Sequence, residues 1–222
     1  MKPSKEKYEK PSVTVDVLLF TIEDGELKIL LVKRNQPPFK ESWALPGGFV
    51  RIFESLEEAA KRELKEESNV DDVYLEQLFT FGDVNRAPRE RVITVTYLAL
   101  ADANSGNVAS SGDAKESKLF SLRKLPKLAF DHSRIIDYGL SRLRAKLGYT
   151  NIVFGLLPTE FTLTQLQTVY EIILNNKVDK RNFRKKIMAT GLLKSSGKKS
   201  EGTAHRPALY YSFKEKRVII TD

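Results

Sequence analysis

The sequence predicts an α/β fold in two parts: a larger front domain over residues 1–150, a mixed sheet with helices against it, and a smaller basic domain over 151–222. Three observations predict it. Strand-length apolar runs in the front half are interrupted by two stretches with helical periodicity. A helix-capping signal at Thr162 then opens a segment of different character. Charge divides at the same place: from Asn151 onward 13 Lys and Arg face 6 Asp and Glu, a balance of +7, while the remaining 24 against 23 leave the front only +1. A near-neutral front joined to a strongly basic back suggests two tasks, with the back meeting a polyanion.

Composition narrows the classes. At 222 residues, 41% hydrophobic and 30% charged, the chain reads as an ordinary globular protein. Cysteine is absent, which excludes disulfides, zinc–thiolate sites and cysteine nucleophiles. The opening MKPSKEKYEKPS is polar and basic, unlike an export signal, and no apolar run approaches membrane-spanning length. A cytoplasmic location, with no membrane contact, is the expectation.

After a loosely attached first dozen residues, Ser12 to Phe20 reads as a strand, Glu23-Asp24-Gly25 as a turn and Leu27 to Val32 as the returning strand. Asn35 to Ser42, with two prolines, is a loop leading to a strand at Trp43. Ser55 begins a helix: it is an N-cap with Glu58 as its capping-box partner, and Leu56, Ala60 and Leu64 form a buried stripe. Further strands follow at Val73 to Phe81, Val92 to Leu100 and Ser117 to Ser121, with a turn-rich stretch from Asn104 to Asp113. Asp131 to Lys146 is helical by its apolar spacing, with Asp131 as cap and His132 structural.

The chemistry gathers between Gly48 and Val70, GFVRIFESLEEAAKRELKEESNV. On the helix, Glu63, Glu66 and Glu67 stand at i, i+3 and i+4, so three carboxylates share one patch opposite the apolar stripe. Like charges at that spacing repel and raise one another's pKa values, a cost that a divalent cation removes. Hard oxygen ligands suit Mg²⁺ or Mn²⁺. A solvated glutamate-rich face would explain the carboxylates alone, but not the placed Gly48, Glu54 and Arg62.

This string resembles the Nudix box, G-x5-E-x7-R-E-U-x-E-E-x-G-U, where U is aliphatic. Every fixed position matches except the second glycine, here Asn69, a residue that tolerates the left-handed conformation expected after a helix. Trp43 to Gly48 is similar to the strand and loop that lead into the box. The resemblance implies a Nudix α/β/α sandwich. It further implies that Glu63, Glu66 and Glu67 hold the metal, that the Gly48 carbonyl adds a ligand, and that Arg62 pairs with Glu54 to fix the helix. Arg86, Arg89 and Arg91 lie near the strand at Val92, where they either reach a diphosphate or ribose or form salt bridges with Glu90 and Asp83. Arg34, Arg86 and Arg89 are the candidates for effector binding.

In the last third, Thr162 caps a helix with Gln165 as reciprocal partner, and Leu163, Leu166, Tyr170, Ile173 and Leu174 mark its core face. Asp179 caps a second helix, with Phe183, Ile187 and Met188 inward and Lys180, Arg181, Arg184 and Lys185 outward; Gly191 closes it. Leu192 to Lys194, a flexible stretch from Ser195 to Thr203 and Ala208 to Phe213 make a hairpin. Helix, turn, basic helix and basic hairpin is the pattern of a winged helix-turn-helix, whose second helix enters the major groove while the wing meets phosphate. Lys199 and Arg206 join the helix cations as candidate DNA contacts.

Across nearly the whole chain, Phe161 to Gln167, Asp179 to Lys185, Arg206 to Tyr210 and Ala129 to His132 added to the box resemble the Nudix-related transcriptional regulators. Members often carry a degenerate box; this one is nearly complete. The resemblance implies a homodimer on double-stranded DNA with a palindromic operator. It implies a front domain sensing ADP-ribose or a related nucleoside diphosphate compound in NAD metabolism. An active Mg²⁺-dependent ADP-ribose pyrophosphatase is the alternative, alone or beside regulation, and a sugar-responsive regulator with a vestigial box a second.

Overall fold

The computed structural model describes residues 10–71, 73–103, 116–200 and 207–221. Its centre is β1 (Ser12–Glu23), in which every residue from Val15 to Phe20 is buried except for a sliver of Asp16. A strand pleat sends alternate side chains to opposite faces, and β1 shows it: Leu18 and Phe20 enter one core, Val15, Val17 and Leu19 the other. On its flanks β1 pairs antiparallel with β2 (Glu26–Lys33) and parallel with β6 (Val92–Leu100), from Ser12 opposite Val92 to Phe20 opposite Leu100. β3 (Trp43–Ala44) and β7 (Ser117–Ser121) extend β2, β4 (Gly47–Phe49) pairs with β1, and β5 (Tyr74–Phe81) closes the other edge.

One helix covers each face. α1 (Leu56–Ser68) packs Ala59, Ala60 and Leu64 against Val15, Val17 and Leu19. Both halves of the expected capping box form at Ser55 and Glu58, and Asn69 takes the left-handed C-cap conformation, φ 56°. α2 (His132–Lys146) sets Ile135, Ile136 and Leu143 against Leu18 and Phe20. Asp131 does not cap it through its side chain; that carboxylate is engaged by Arg86 instead. The seven-stranded sheet between two helices is the α/β/α sandwich the sequence implies.

Beyond α2 a 3₁₀ turn (Ile152–Leu156) leads to β8 (Phe161–Thr162), α3 (Leu163–Leu174), α4 (Lys180–Ala189), β9 (Leu193–Lys199) and β10 (Leu209–Phe213). Thr162 and Gln165 form the full capping box, and the Asp179 side chain accepts from the Asn182 amide. The three strands pair in the order β8-β10-β9 as a wing behind two helices. Two inward assignments are corrected: Leu174 and Met188, in the last turns of α3 and α4, are 37% and 46% exposed. Residues 195–199 are strand rather than flexible loop.

The two parts share one core. Leu166, Val169, Ile173, Ile187, Leu193 and Phe213 belong to the same apolar cluster as Leu18, Ile135 and Leu143. The junction near 150 is tied by the chain's own end: Asn151 Nδ2 donates to Arg217 O, its Oδ1 accepts from the Ile219 amide, and Thr221 N donates to Tyr149 O at 2.7 Å. Among the described residues no helix is long and apolar enough to cross a membrane.

Candidate functional site

The box helix is wired to the strand it faces by one arginine. Arg62 grips Glu54 with two parallel bonds, Nε to Oε2 at 2.8 Å and Nη2 to Oε1 at 2.6 Å, while its Nη1 bridges Glu63 Oε1 at 2.6 Å and Glu66 Oε2 at 3.2 Å. Two-pronged geometry is where guanidinium–carboxylate pairs are strongest. This pairing holds the Glu54 carboxyl at about 2 and raises the Arg62 guanidinium further. Glu63 behaves oppositely: burial pushes its carboxyl up, and Arg62 pulls only partly back.

Glycine is required twice beneath these carboxylates. A Cβ on Gly48 would lie 2.3 Å from Glu63 Oε1, and one on Gly47 would lie 2.2 Å from the Val15 carbonyl. The bare backbone lets Glu63 lie against Gly48 and lets Glu67 Oε2 accept from the Gly47 amide at 2.9 Å. The carboxylates are therefore not an open patch opposite the core. Glu63 and Glu67 are buried against β4, and Glu66 alone reaches outward, to Arg51 and Arg62. Among the described residues no three acidic, His or Cys groups form a cluster able to hold a metal ion. The donor chemistry, three carboxylates and the Gly48 carbonyl, nevertheless fits a hard divalent cation such as Mg²⁺.

Beside β4 opens a cavity of about 280 Å³ lined by Asp16, Arg34, Gly47, Gly48, Phe49, Arg86, Arg89, Phe130 and His132 among others. All three candidate effector arginines meet here, though differently. Arg86 is buried and committed: its Nη2 is 2.8 Å from Asp131 Oδ1 and 3.6 Å from Asp16 Oδ2. Arg34 and Arg89 contact no carboxylate among the described residues. Arg34 Nε donates to the Pro38 carbonyl at 2.9 Å and its guanidinium lies 4.7 Å from the Phe130 ring centroid, while Arg89 Nη1 donates to Pro37 O at 3.3 Å. Burial lowers the Arg34 pKa, so an anion in the cavity would be welcomed there. Arg91 stays out of the cavity, bracing the loop through Gly82 and Asp83 carbonyls. The alternative pairing with Glu90 and Asp83 does not form, since Glu90 accepts from Ser12 and Asp83 from Arg134.

Asp16 and His132, which line the cavity, and Asp131, which holds Arg86 there, are the residues that sequence reasoning left without a binding role. Asp16 Oδ2 accepts from Thr94 Oγ1 at 2.6 Å, and His132 Nδ1 accepts from the Leu45 amide at 2.9 Å, leaving Nε2 protonated and 3.6 Å from Asp16. Burial lowers the His132 pKa, which keeps the ring neutral. The one available signal was a lone acid in the apolar run Val15 to Phe20.

At the other end, Lys180, Arg181 and Lys185 stand exposed on α4 as expected, and Lys199 is exposed on β9. None of these four makes an ion pair among the described residues, whereas Lys198 is held by Glu160 at 2.8 Å. Arg184 is a correction. Half-buried, it leans back on α3, with Nη2 3.3 Å from Thr164 Oγ1. Arg206 lies outside the described residues. The turn that orients α4 is fastened by Glu171, whose carboxylate accepts from Lys177 Nζ at 2.8 Å, Gln167 Nε2 at 3.0 Å and the Val178 amide at 3.1 Å, and is held at about 2.

Fold and site define a Nudix domain joined to a winged helix. The NUDIX domain profile matches residues 10–138, and that of the NrtR DNA-binding winged helix domain matches 153–213. The chain belongs to the NrtR family of Nudix-related transcriptional regulators. It is 38% identical over 213 residues to the ADPR responsive transcriptional repressor NtrR of Acinetobacter baylyi, covering 94% of this chain and 84% of that one. The crystal structure of Shewanella oneidensis NrtR complexed with a 27mer DNA superposes with a TM-score of 0.81 at 37% identity, over 91% of this chain and 93% of that chain. The NUDIX domain of that protein, complexed with ADP ribose, matches 64% of this chain and 94% of its own at 37% identity, TM-score 0.54. The ADP-ribose pyrophosphatase of Methanocaldococcus jannaschii is 42% identical over 132 residues, 59% of this chain and 75% of that one.

Proposed function

We propose that the protein is an ADP-ribose-responsive transcriptional repressor acting on genes of NAD metabolism. The observation that carries the reading is the placement of two cationic surfaces in one chain. Arg34 and Arg89 line the cavity without an ion-paired carboxylate among the described residues, and Lys180, Arg181 and Lys185 of α4 face outward, likewise without one. The cavity suits a nucleoside diphosphate sugar, with Arg34 and Arg89 on the diphosphate and Arg86 positioned by Asp16 and Asp131. Lys180, Arg181, Lys185 and Lys199 are assigned to DNA, Arg206 with them from the sequence alone. The domains divide near residue 150. Membership of the regulator family supports a homodimer, for which a two-fold operator is expected, and a cytoplasmic location is consistent with it. In the test, affinity for a duplex selected from a random pool is measured at fixed salt with and without ADP-ribose. Repression relieved or strengthened by ADP-ribose requires the two values to differ; equal values sink the sensor role.

A second reading, ADP-ribose hydrolysis to AMP and ribose 5-phosphate, is favoured by the complete set Glu54, Arg62, Glu63, Glu66 and Glu67. Glu63, Glu66, Glu67 and the Gly48 carbonyl would hold the metal ion. Bound Mg²⁺ would neutralise the diphosphate and acidify a water. In this chain Arg62 and Glu54 fix the carboxylates, and Glu67, buried beside the cavity, is the candidate proton acceptor. AMP release by the wild type and not by a Glu66→Gln, Glu67→Gln variant establishes it; release by neither removes it.

A further inference from the structure

We propose that α2 is the element through which the filled cavity changes the pose of the DNA-binding helices, and that Arg144 is the residue that couples it to them. This rests on the reading of the cavity as the effector site. The two ends of α2 lie in the two functional regions. At its start, Phe130 and His132 line the cavity, and Asp131 is gripped by Arg86, which lines it too. Twelve residues on from His132, about 18 Å at 1.5 Å per residue, Arg144 Nε donates to the Ile173 carbonyl in the last turn of α3 at 2.9 Å. Orphan carbonyls at a helix C-terminus are where a cation binds well. Arg123, from the turn after β7, makes a parallel tie at 3.1 Å to Asn175 Oδ1, the residue capping α3. Leu143 and Leu147 pack in the same cluster as Ile173 and Ile187, so a shift of α2 reaches both α3 and α4.

The switching element is Arg86. It has one guanidinium and serves two claims, the Asp131 carboxylate and any anion admitted to the cavity. An anion drawing on Arg86 weakens its hold on the first turn of α2. That gives the ligand a differential affinity for the two positions of the helix, without which no ligand moves an equilibrium. Side chains packed around α2 transmit the shift because a close-packed interior does not absorb it.

The experiment uses the full chain and a duplex selected by the protein from a random pool, at fixed salt. For wild type the affinities with and without ADP-ribose are expected to differ by about 5-fold to 150-fold. Arg144→Met is expected to bring that ratio within about twofold of one, with ADP-ribose affinity of the DNA-free protein unchanged. Arg123→Gln, at an exposed position, is expected to reduce the ratio by a smaller factor, and it decides the matter if Arg144→Met fails to fold. Arg144 and Arg123 variants that keep the wild-type ratio overturn the coupling role while leaving the sensor reading intact. A wild-type ratio of one overturns the sensor reading, and the coupling with it.

Discussion

Helices α1 and α4 are built alike and use charge in opposite ways. Each is short and capped by a polar side chain, Ser55 or Asp179, and each carries a cluster of ionisable residues on one side. In α1 the charges are consumed internally: Arg62 binds three carboxylates, Lys61 pairs with Glu57 and Lys65 with Asp71. In α4 Lys180, Arg181 and Lys185 pair with nothing among the described residues. Internal pairing fixes a geometry and gains little from the surroundings. Unpaired cations along a helix gain nothing until a polyanion arrives, and then release its counterions. On the proposed reading, the charges of the near-neutral front hold a site in shape and those of the basic back are kept for a partner.

The largest effect expected from this contrast is in the cavity, which Arg34 and Arg89 line without an ion pair among the described residues. Arg34→Ala or Arg89→Ala is expected to weaken ADP-ribose binding by about 10-fold to 100-fold each, as loss of a charge-assisted bond implies, with melting temperature nearly unchanged. Isothermal titration reads both. An intermediate effect is expected in α1. Arg62→Ala leaves Glu63 buried without its cation, a change that costs about 3–5 kcal/mol when a pair is fully dry and roughly half that where, as here, Glu66 is half exposed. Thermal unfolding should fall by several degrees, while DNA binding at low temperature persists.

The smallest effect concerns acid. Glu54 and Glu171 are both held at about 2, below the ordinary value near 4.5, by Arg62 and by Lys177 respectively. A depressed carboxyl contributes stability that is complete above the unfolded value and is lost as pH falls from about 4.5 towards 2. Glu63, raised by burial, acts with the opposite sign. Unfolding followed between pH 5 and about 2 should therefore show a steep acid limb. Glu54→Gln or Glu171→Gln should flatten it, and an unaltered limb in both variants would remove these pairs from the account.

The comparison also explains what was legible in the sequence. The capping boxes at Ser55 and Thr162, the Asp179 cap and the left-handed Asn69 are local, set by residues three or four apart, and all formed as read. The grip of Arg62 on Glu54, eight residues away, came through the resemblance to the Nudix box. The cavity network could not be read that way. Asp16 meets Thr94 only because β1 and β6 run parallel, 78 residues apart in the chain, and Asp131 arrives from a third element. Assigning Asp131 to a cap and Arg184 to the outer face followed local periodicity, and both were overridden by a longer-range partner, Arg86 and Thr164. The tie between Asn151 and the end of the chain, 68 residues away, had no local trace at all.

On the proposed function, the α4 cations left without an ion pair among the described residues are the ones DNA uses. This is tested most directly by the slope of log affinity against log salt for the wild type and for Arg181→Ala and Lys185→Ala, singly and together. The slope is expected to fall by about 0.9 for each cation removed. An unchanged slope, with affinity lost or not, would contradict it and place the DNA elsewhere on the protein.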